Sequence, residues 1–276
     1  MLFNFTQQEA DIRAPLMQSF PLTCSATVNI RRMRIFMKVA TLPSILILFV
    51  ECQAQTADDI LKKYFASIGG VEKWKELKSI HYTGRIINRI VEMEYPISIY
   101  QKPKNKVKFI SSLPGNEYIS CYDDTIAWKK NNQFCVKLDE EDEQQQQLGE
   151  WYFEDAFIDY KKKEHQVTLL GREEVDGILC YKIFLGINGG GEIKKEFYYF
   201  HPESYRKIMK VRFLKIDGSK DVQVNSYYGN FREVNGLYFP FVTEVKNNVQ
   251  LVQKRVIDKI ALDELIEDSF FSYPSE

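Results

Sequence analysis

Apolar side chains at Val91, Met93, Tyr95, Ile97 and Ile99, and again at Leu179, Tyr181, Ile183, Leu185 and Ile187, occupy every second residue. Successive side chains of a strand point to opposite faces, so each run reads as one strand with a buried face; a helix would need a spacing near 3.6. Shorter runs lie between them at Val107-Lys108-Phe109, Glu117 to Tyr122, Thr125 to Trp128 and Phe134-Cys135-Val136. Turn signals punctuate the chain at hairpin spacing: Pro114-Gly115-Asn116, Asp123-Asp124, Asn131-Asn132, Asp176-Gly177, Asn188-Gly189-Gly190-Gly191, Asp217-Gly218, Asn235-Gly236 and Asn247-Asn248. The architecture this implies is a single antiparallel sheet, long enough to curl. The 3 Trp, 16 Tyr and 19 Phe against only 6 Met agree with it, because flat rings suit a pleated surface, and they argue against an all-helical bundle.

Helical periodicity occurs only ahead of the strands. Thr56 can cap a helix with Asp58 and Asp59 in its first turn, and Ile60, Leu61, Tyr64, Phe65 and Ile68 share one face opposite Lys62 and Lys63. Gly69-Gly70 stops it, and Val71, Trp74 and Leu77 start a second, shorter helix with Lys73, Lys75 and Lys78 outside. Such a pair has to lay its apolar stripe on something. One stretch interrupts the sheet: Asp139 to Gln147 is acidic and glutamine-rich, followed by Leu148, Trp151, Tyr152, Phe153, Phe157 and Ile158. Residues 139–159 read as an acidic linker leading into one or two helical turns whose aromatic side plugs the sheet.

The N-terminus has a different character. Arg31-Arg32-Met33-Arg34-Ile35-Phe36-Met37-Lys38 precedes the apolar run Val39 to Val50, then Glu51-Cys52-Gln53-Ala54. A basic segment, a 12-residue apolar core and a small residue form a secretory signal over 33–54, with cleavage expected after Ala54. The core is shorter than the ~20 residues of a membrane span and is interrupted by Pro43 and Ser44. A lipid anchor through Cys52 is the alternative, weakened by Glu51, which stands where a lipoprotein peptidase wants a small residue. Residues 1–32 show no sustained period and read as a disordered or misassigned extension, leaving 55–276 as one domain. Removing 1–54 takes away five basic and three acidic residues, so 37 Lys+Arg and 38 Asp+Glu become 32 and 35, a net charge of -3. This balance excludes a basic nucleic-acid binder.

No catalytic or metal constellation emerges. Gly189-Gly190-Gly191 lies between strands and reads as a hairpin turn, since a phosphate loop needs a strand and a helix around G-x-x-x-x-G-K-[ST]. His81, His165 and His201 have no neighbour at ligand spacing, and Asp123-Asp124 reads as a turn because adjacent strand residues face opposite ways. Of Cys121, Cys135 and Cys180, the first two either pair across a hairpin or pack as small core residues.

The order of several short motifs resembles the LolA-like family, the outer-membrane lipoprotein-sorting proteins of Gram-negative bacteria. The resemblance runs over 55–276. It rests on Gln55-Thr56-Ala57-Asp58-Asp59-Ile60-Leu61-Lys62-Lys63-Tyr64 with Ile68-Gly69-Gly70-Val71-Glu72-Lys73-Trp74, and on Tyr100-Gln101-Lys102-Pro103-Lys104-Asn105-Lys106. It continues through Tyr122-Asp123-Asp124-Thr125-Ile126-Ala127-Trp128, Asp159 to Lys163, Leu169 to Gly177, Tyr198 to Tyr205, Gly236-Leu237-Tyr238-Phe239-Pro240 and Phe270-Phe271-Ser272-Tyr273-Pro274. Asp124 and Glu164 depart from it where glycine is usual.

The resemblance implies a curled, antiparallel, half-open β-barrel of the LolA/LppX-like kind, mainly β, covered by N-terminal and central helices. It further implies a periplasmic, non-enzymatic carrier with an apolar cavity for lipid or lipoprotein acyl chains, working with envelope transport proteins. Expected cavity residues, taken from strand parity, are Met93, Tyr95, Ile97, Ile99, Phe109, Trp128, Trp151, Phe153, Phe157, Leu185, Phe197 and Tyr199; expected lid residues are Ile60, Leu61, Tyr64, Phe65, Ile68 and Trp74. No cofactor, metal or nucleic acid is expected, and the mature chain reads as a monomer that does not span a membrane. The alternative is a non-catalytic envelope scaffold on the same fold with a filled core.

Overall fold

The structure is a computed structural model that describes residues 55–138, 151–188, 193–214, 222–247 and 250–274. The signal segment, the acidic linker and the turns at Gly189-Gly190-Gly191 and Asp217-Gly218 lie outside the described residues. Two helices lead, α1 (Ala57–Ser67) and α2 (Val71–Glu76). Thr56 caps α1 through a reciprocal box: its hydroxyl accepts from the Asp59 amide at 3.2 Å, and the Asp59 carboxylate accepts from the Thr56 amide at 3.0 Å.

Thirteen strands follow: β1 (Ile80–Asn88), β2 (Met93–Lys102), β3 (Lys106–Leu113), β4 (Asn116–Tyr122), β5 (Ala127–Lys130), β6 (Cys135–Leu138), β7 (Gln166–Val175), β8 (Ile178–Asn188), β9 (Ile193–Phe200), β10 (Lys207–Leu214), β11 (Val222–Val234), β12 (Leu237–Asn247) and β13 (Gln250–Leu262). They form one antiparallel, open sheet in the order β6-β5-β4-β3-β2-β1-β13-β12-β11-β10-β9-β8-β7. Each strand except at one junction pairs with its sequence neighbour, as short hairpin turns dictate. Asp176-Gly177 and Asn235-Gly236 supply the two positive φ angles of such turns, 48° and 82°, and 51° and 80°. The expected strands are present, although the first regular run begins at Met93: Val91 sits in the β1–β2 turn and is exposed. Asp124 (φ 89°) and Glu164 (φ 56°), the two departures from the glycine pattern, both hold a left-handed backbone.

The junction is the pairing of the first strand with the last. Ile80 opposes Leu262 and Asn88 opposes Gln253, so β1 and β13 weld two meanders, β1–β6 and β7–β13, into one surface. A bulge at Thr83/Gly84 lets them approach; a Cβ at Gly84 would lie 2.2 Å from the Val256 carbonyl oxygen. β6 and β7, consecutive in the chain, thus become the two opposite edges of the sheet. The connection between them has to cross it.

That crossing orders the core. Trp151 and Tyr152 pack with Ile86, Ile97, Ile99, Val107, Ala127 and Leu138 of the first meander. Phe153 packs on Phe239, Phe241 and Ile257 at the weld. Phe157 packs with Ile183, Leu185, Tyr198 and Phe200 of the second meander and with Ile60, Leu61, Tyr64 and Ile68 of α1. The aromatic stretch plugs one face as expected, in hydrogen-bonded turns such as Ile158 N to Asp155 O (2.9 Å) and His165 N to Tyr160 O (2.9 Å). We call this the helix face.

The opposite face has its own cover. Trp128 and Cys121 are buried beneath a 3-10 turn at Asp268–Phe271, where the Trp128 indole N–H (2.9 Å) and the Cys121 thiol (3.1 Å) both donate to the Phe271 carbonyl. Lys102 and Lys106 anchor that turn on Asp268, holding its carboxyl down to about 2. Cys121, Cys135 and Cys180 are free thiols.

Candidate functional site

Between the sheet and its cover on the helix face lies a cavity of about 500 Å³. The cover is fixed at several points. Ile68 O accepts from the Tyr238 amide and the Trp74 indole N–H, each at 3.1 Å, which ties α1 and α2 to β12. Gly69 makes the approach feasible, since with φ at 106° a Cβ there would meet the Gly236 carbonyl oxygen at 2.2 Å. Lys161 bridges to Asp58 (2.7 Å) and Lys75 to Asp159 (2.9 Å), linking the helix pair to the crossing segment. Exposed pairs of this kind contribute little stability. The Gln101 side-chain amide donates to the Trp151 carbonyl and holds the start of that segment down.

Five expected residues line the cavity: Trp151, Phe153, Tyr64, Ile68 and Trp74. Ile60 and Leu61 are buried in the packing of α1 on β8 and β9, and Phe65 packs on its margin. Ile97, Ile99, Phe157 and Leu185 point to the helix face but are consumed by the core, none more than 3% exposed. Tyr95 and Phe109 pack beside them, Phe109 against Trp151 with ring centroids 5.8 Å apart.

Four expectations need correction. Trp128 faces the other way, because it opposes Cys121 across β4–β5 while Ala127 opposes Tyr122 on the helix face. Phe197 and Tyr199 also lie on the opposite face with Met209 and Val211. Four aromatics run consecutively from Phe197 to Phe200, so parity offers no choice; the pairing of Tyr198 with Ile183 and Phe200 with Tyr181 does. Met93, first residue of β2, is 40% exposed at the end of its hairpin.

The wall that strand parity misses is polar. Asp155 Oδ2 accepts from Tyr64 Oη at 2.7 Å and from Lys207 Nζ at 3.0 Å. Burial alone would raise the Asp155 carboxyl, but the Lys207 charge and hydrogen bonds from Tyr64, Lys207 and the Phe157 amide hold it below its ordinary value. Lys210 pairs with Glu196 at 2.8 Å, and Tyr198 donates its hydroxyl to the same carboxylate. Burial, reinforced by the neighbouring carboxylates, pushes the Tyr64 and Tyr198 phenols well up, so both stay protonated donors. Arg255, 5% exposed, sets its guanidinium 4.4 Å from the Trp151 ring centroid. The signal was present in the sequence as Met209-Lys210-Val211-Arg212, where the charged positions, not the apolar ones, face the cavity.

The histidines have local structural partners. His81 stacks on Tyr100 at 4.0 Å and meets Glu264 through Nδ1 at 2.9 Å, His165 Nδ1 accepts from the Asn188 amide, and His201 Nδ1 accepts from the Glu203 and Ser204 amides. Asp123 Oδ1 accepts from Thr125 and Ile126 in a turn. Among the described residues, no group of three His, Cys, Asp or Glu stands close enough to hold a metal ion, and no helix is long and apolar enough to cross a membrane.

No protein-family model and no curated protein matches the sequence. The fold has counterparts among solved structures. A LolA superfamily protein from Nitrosomonas europaea matches with a TM-score of 0.51 at 15% identity, over 79% of this chain and 98% of that one. A Vibrio parahaemolyticus domain named for outer-membrane lipoprotein sorting matches at 0.53 and 10% identity, over 77% and 94%. A DUF1329 family protein from Desulfovibrio piger matches at 0.52 and 12% identity, over 80% and 98%. The fold of this chain is therefore LolA-like.

Proposed function

We propose that this protein is a periplasmic carrier that holds a lipid or lipoprotein acyl chain in the cavity under α1, α2 and the crossing segment. One observation carries the reading: a cavity of about 500 Å³ on the helix face, bordered by Ile68, Trp74, Ile80, Phe153, Phe239 and Ile257. That volume lies within the roughly 300–1,000 Å³ of small-ligand pockets. Burying an acyl chain there removes apolar surface from water at about 0.8 kcal/mol per CH₂, enough to carry a lipid through an aqueous compartment. A scaffold with a filled core would leave no such space, so the cavity favours the carrier. Secretion through 33–54 with cleavage after Ala54 fits the same reading, because the first helix cap, Thr56, follows directly on that point.

The test is native mass spectrometry of the secreted protein, followed by titration with a fluorescent acyl probe. The expected result is a co-purifying lipid, or saturable uptake of one probe per chain. Absence of both overturns the carrier reading.

A further inference from the structure

Much of the polar wall of the cavity is satisfied from within. Asp155 accepts from Tyr64 and Lys207, Glu196 from Tyr198 and Lys210, and Glu233 from the Tyr238 hydroxyl at 3.2 Å. Two hydroxyls of that wall have no hydrogen-bond partner among the described residues, Tyr82 on β1 and Thr243 on β12. Neither oxygen is sealed in the packing, so each opens on the cavity. Their surroundings differ: Thr243 opposes the charged Arg255 across β12 and β13, whereas Tyr82 opposes Ile99 on one side and Ile260 on the other.

Tyr82 stands in the apolar part of the cavity. It shares the helix face with Ile80, bridges the cluster at the weld and that of the first meander, and meets the Phe239 ring edge to face with centroids 6.2 Å apart. Ile80, Phe239 and Ile257 line the space beside it. Burial alone pushes its phenol up, with no charged group contributing, so it is a neutral donor at physiological pH. A hydroxyl turned into an apolar, partly desolvated space without a partner works against folding. Phenylalanine would fill the same volume without that penalty, as Phe239 and Phe241 do nearby. The hydroxyl therefore serves something other than packing.

We infer that Tyr82 is a specificity-determining residue whose hydroxyl donates to an uncharged ester carbonyl of the ligand, so that the cavity selects O-acyl esters over free fatty acids and hydrocarbons. This rests on the carrier reading and narrows its ligand class. An ester carbonyl accepts the hydrogen bond and brings no charge to the apolar wall. A carboxylate placed there would be desolvated without a counter-charge, so a free fatty acid has to keep its head group elsewhere. A hydrocarbon leaves the phenol unpaired, the situation in which a site built to hydrogen-bond discriminates most strongly.

Competition in wild type and Tyr82→Phe separates this from simple apolar binding. Each protein is loaded with diphenylhexatriene, an apolar fluorophore with no hydrogen-bonding group, which is then displaced by ethyl dodecanoate or by dodecanoate. The fluorophore should bind both proteins alike, and ethyl dodecanoate should need a concentration about fivefold higher to displace it from Tyr82→Phe, the loss of one hydrogen bond. Dodecanoate should displace it from both proteins equally. The infrared carbonyl band of bound ethyl dodecanoate should lie at lower wavenumber in wild type than in Tyr82→Phe, which a change of packing alone would not produce. Should the variant not fold, the wild-type band decides: a band where the ester absorbs in hexane overturns the inference. Equal displacement by ethyl dodecanoate from the two proteins overturns it and leaves the carrier reading intact. So does an equal loss for dodecanoate, since the acceptor would then not be the ester, or for the fluorophore, since Tyr82 would then only shape the wall. Failure of the fluorophore and of both competitors to bind wild type overturns the carrier reading as well.

Discussion

Asp155 Oδ2 lies 3.0 Å from Lys207 Nζ and so joins the crossing segment, through its carboxylate, to the start of β10 beneath α1. The Tyr64 hydroxyl donates to the same oxygen, so Asp155 links helix, crossing segment and sheet together. Replacing it by Asn leaves Lys207 without a counter-charge in a mostly buried position. The expected cost at neutral pH is about 3 kcal/mol, the lower end for breaking a buried pair, because Lys207 stays partly solvated.

The same group sets an acid limit. Its folded-state pKa is depressed relative to the unfolded chain, so its contribution is complete above the unfolded carboxylate value, near 3.8, and is lost as pH falls through the lower folded value. Urea unfolding of wild type and Asp155→Asn should therefore show a stability gap that is constant from neutral pH to about pH 5 and narrows below the ordinary carboxylate range. A gap independent of pH down to the acid transition would refute the assignment.

Trp128 and Trp151 separate stability from binding. Trp128→Ala removes a fully buried ring and its hydrogen bond to Phe271 and should cost about 3–5 kcal/mol, yet leave acyl-probe affinity per folded molecule unchanged. Trp151→Ala, in the cavity wall, should weaken the probe severalfold. Loss of binding in the Trp128 variant at temperatures where it remains folded would mean that ligand enters from the opposite face.

Gly69→Ala should lift the helix pair. The new methyl would collide with the Gly236 carbonyl on a backbone with φ of 106°, at a cost of at least about 2 kcal/mol. Hydrogen exchange reads it directly: the Tyr238 amide, bonded to Ile68 O, should lose protection before the amides of β1 and β13.

Thiol chemistry checks the two faces. Burial pushes the Cys121 thiol up to about 12 and raises that of Cys180, and neither side chain is accessible, whereas Cys135 is half-buried. Ellman's reagent at pH 8 followed by peptide mapping should label Cys135 in the folded protein and reach Cys121 and Cys180 only in denaturant. Recovery of a Cys121–Cys135 disulfide would contradict the free thiols.

The local chemistry of this chain is legible in its sequence. Alternation in Ile97 and Ile99 or Ile183 and Leu185 requires a strand; Asn235-Gly236 requires a hairpin; Thr56 with Asp59 requires a helix start. Each depends on residues within a few positions of one another, so backbone sterics and nearby hydrogen bonds suffice to determine it. The aromatic cluster after the acidic linker also announced a plug, since a loop so rich in rings needs a surface to cover.

Tertiary structure decided which face of the sheet that surface is. β1 pairs with β13 across more than 160 residues, and only that pairing puts β6 and β7 at opposite edges and sends Trp151 to Phe157 across one face rather than the other. Parity within a strand says that Lys210 and Val211 point apart, but not which of them meets the cover. Here both faces are covered, one by the crossing segment and helices and the other in part by the C-terminal turn, so apolar positions are buried on either side. The rule that apolar means inward therefore misassigned Trp128, Phe197 and Tyr199 and overlooked Lys210, Arg212 and Arg255. A charged side chain faces this cavity because the register places it there, and register is a property of paired strands that no single strand carries.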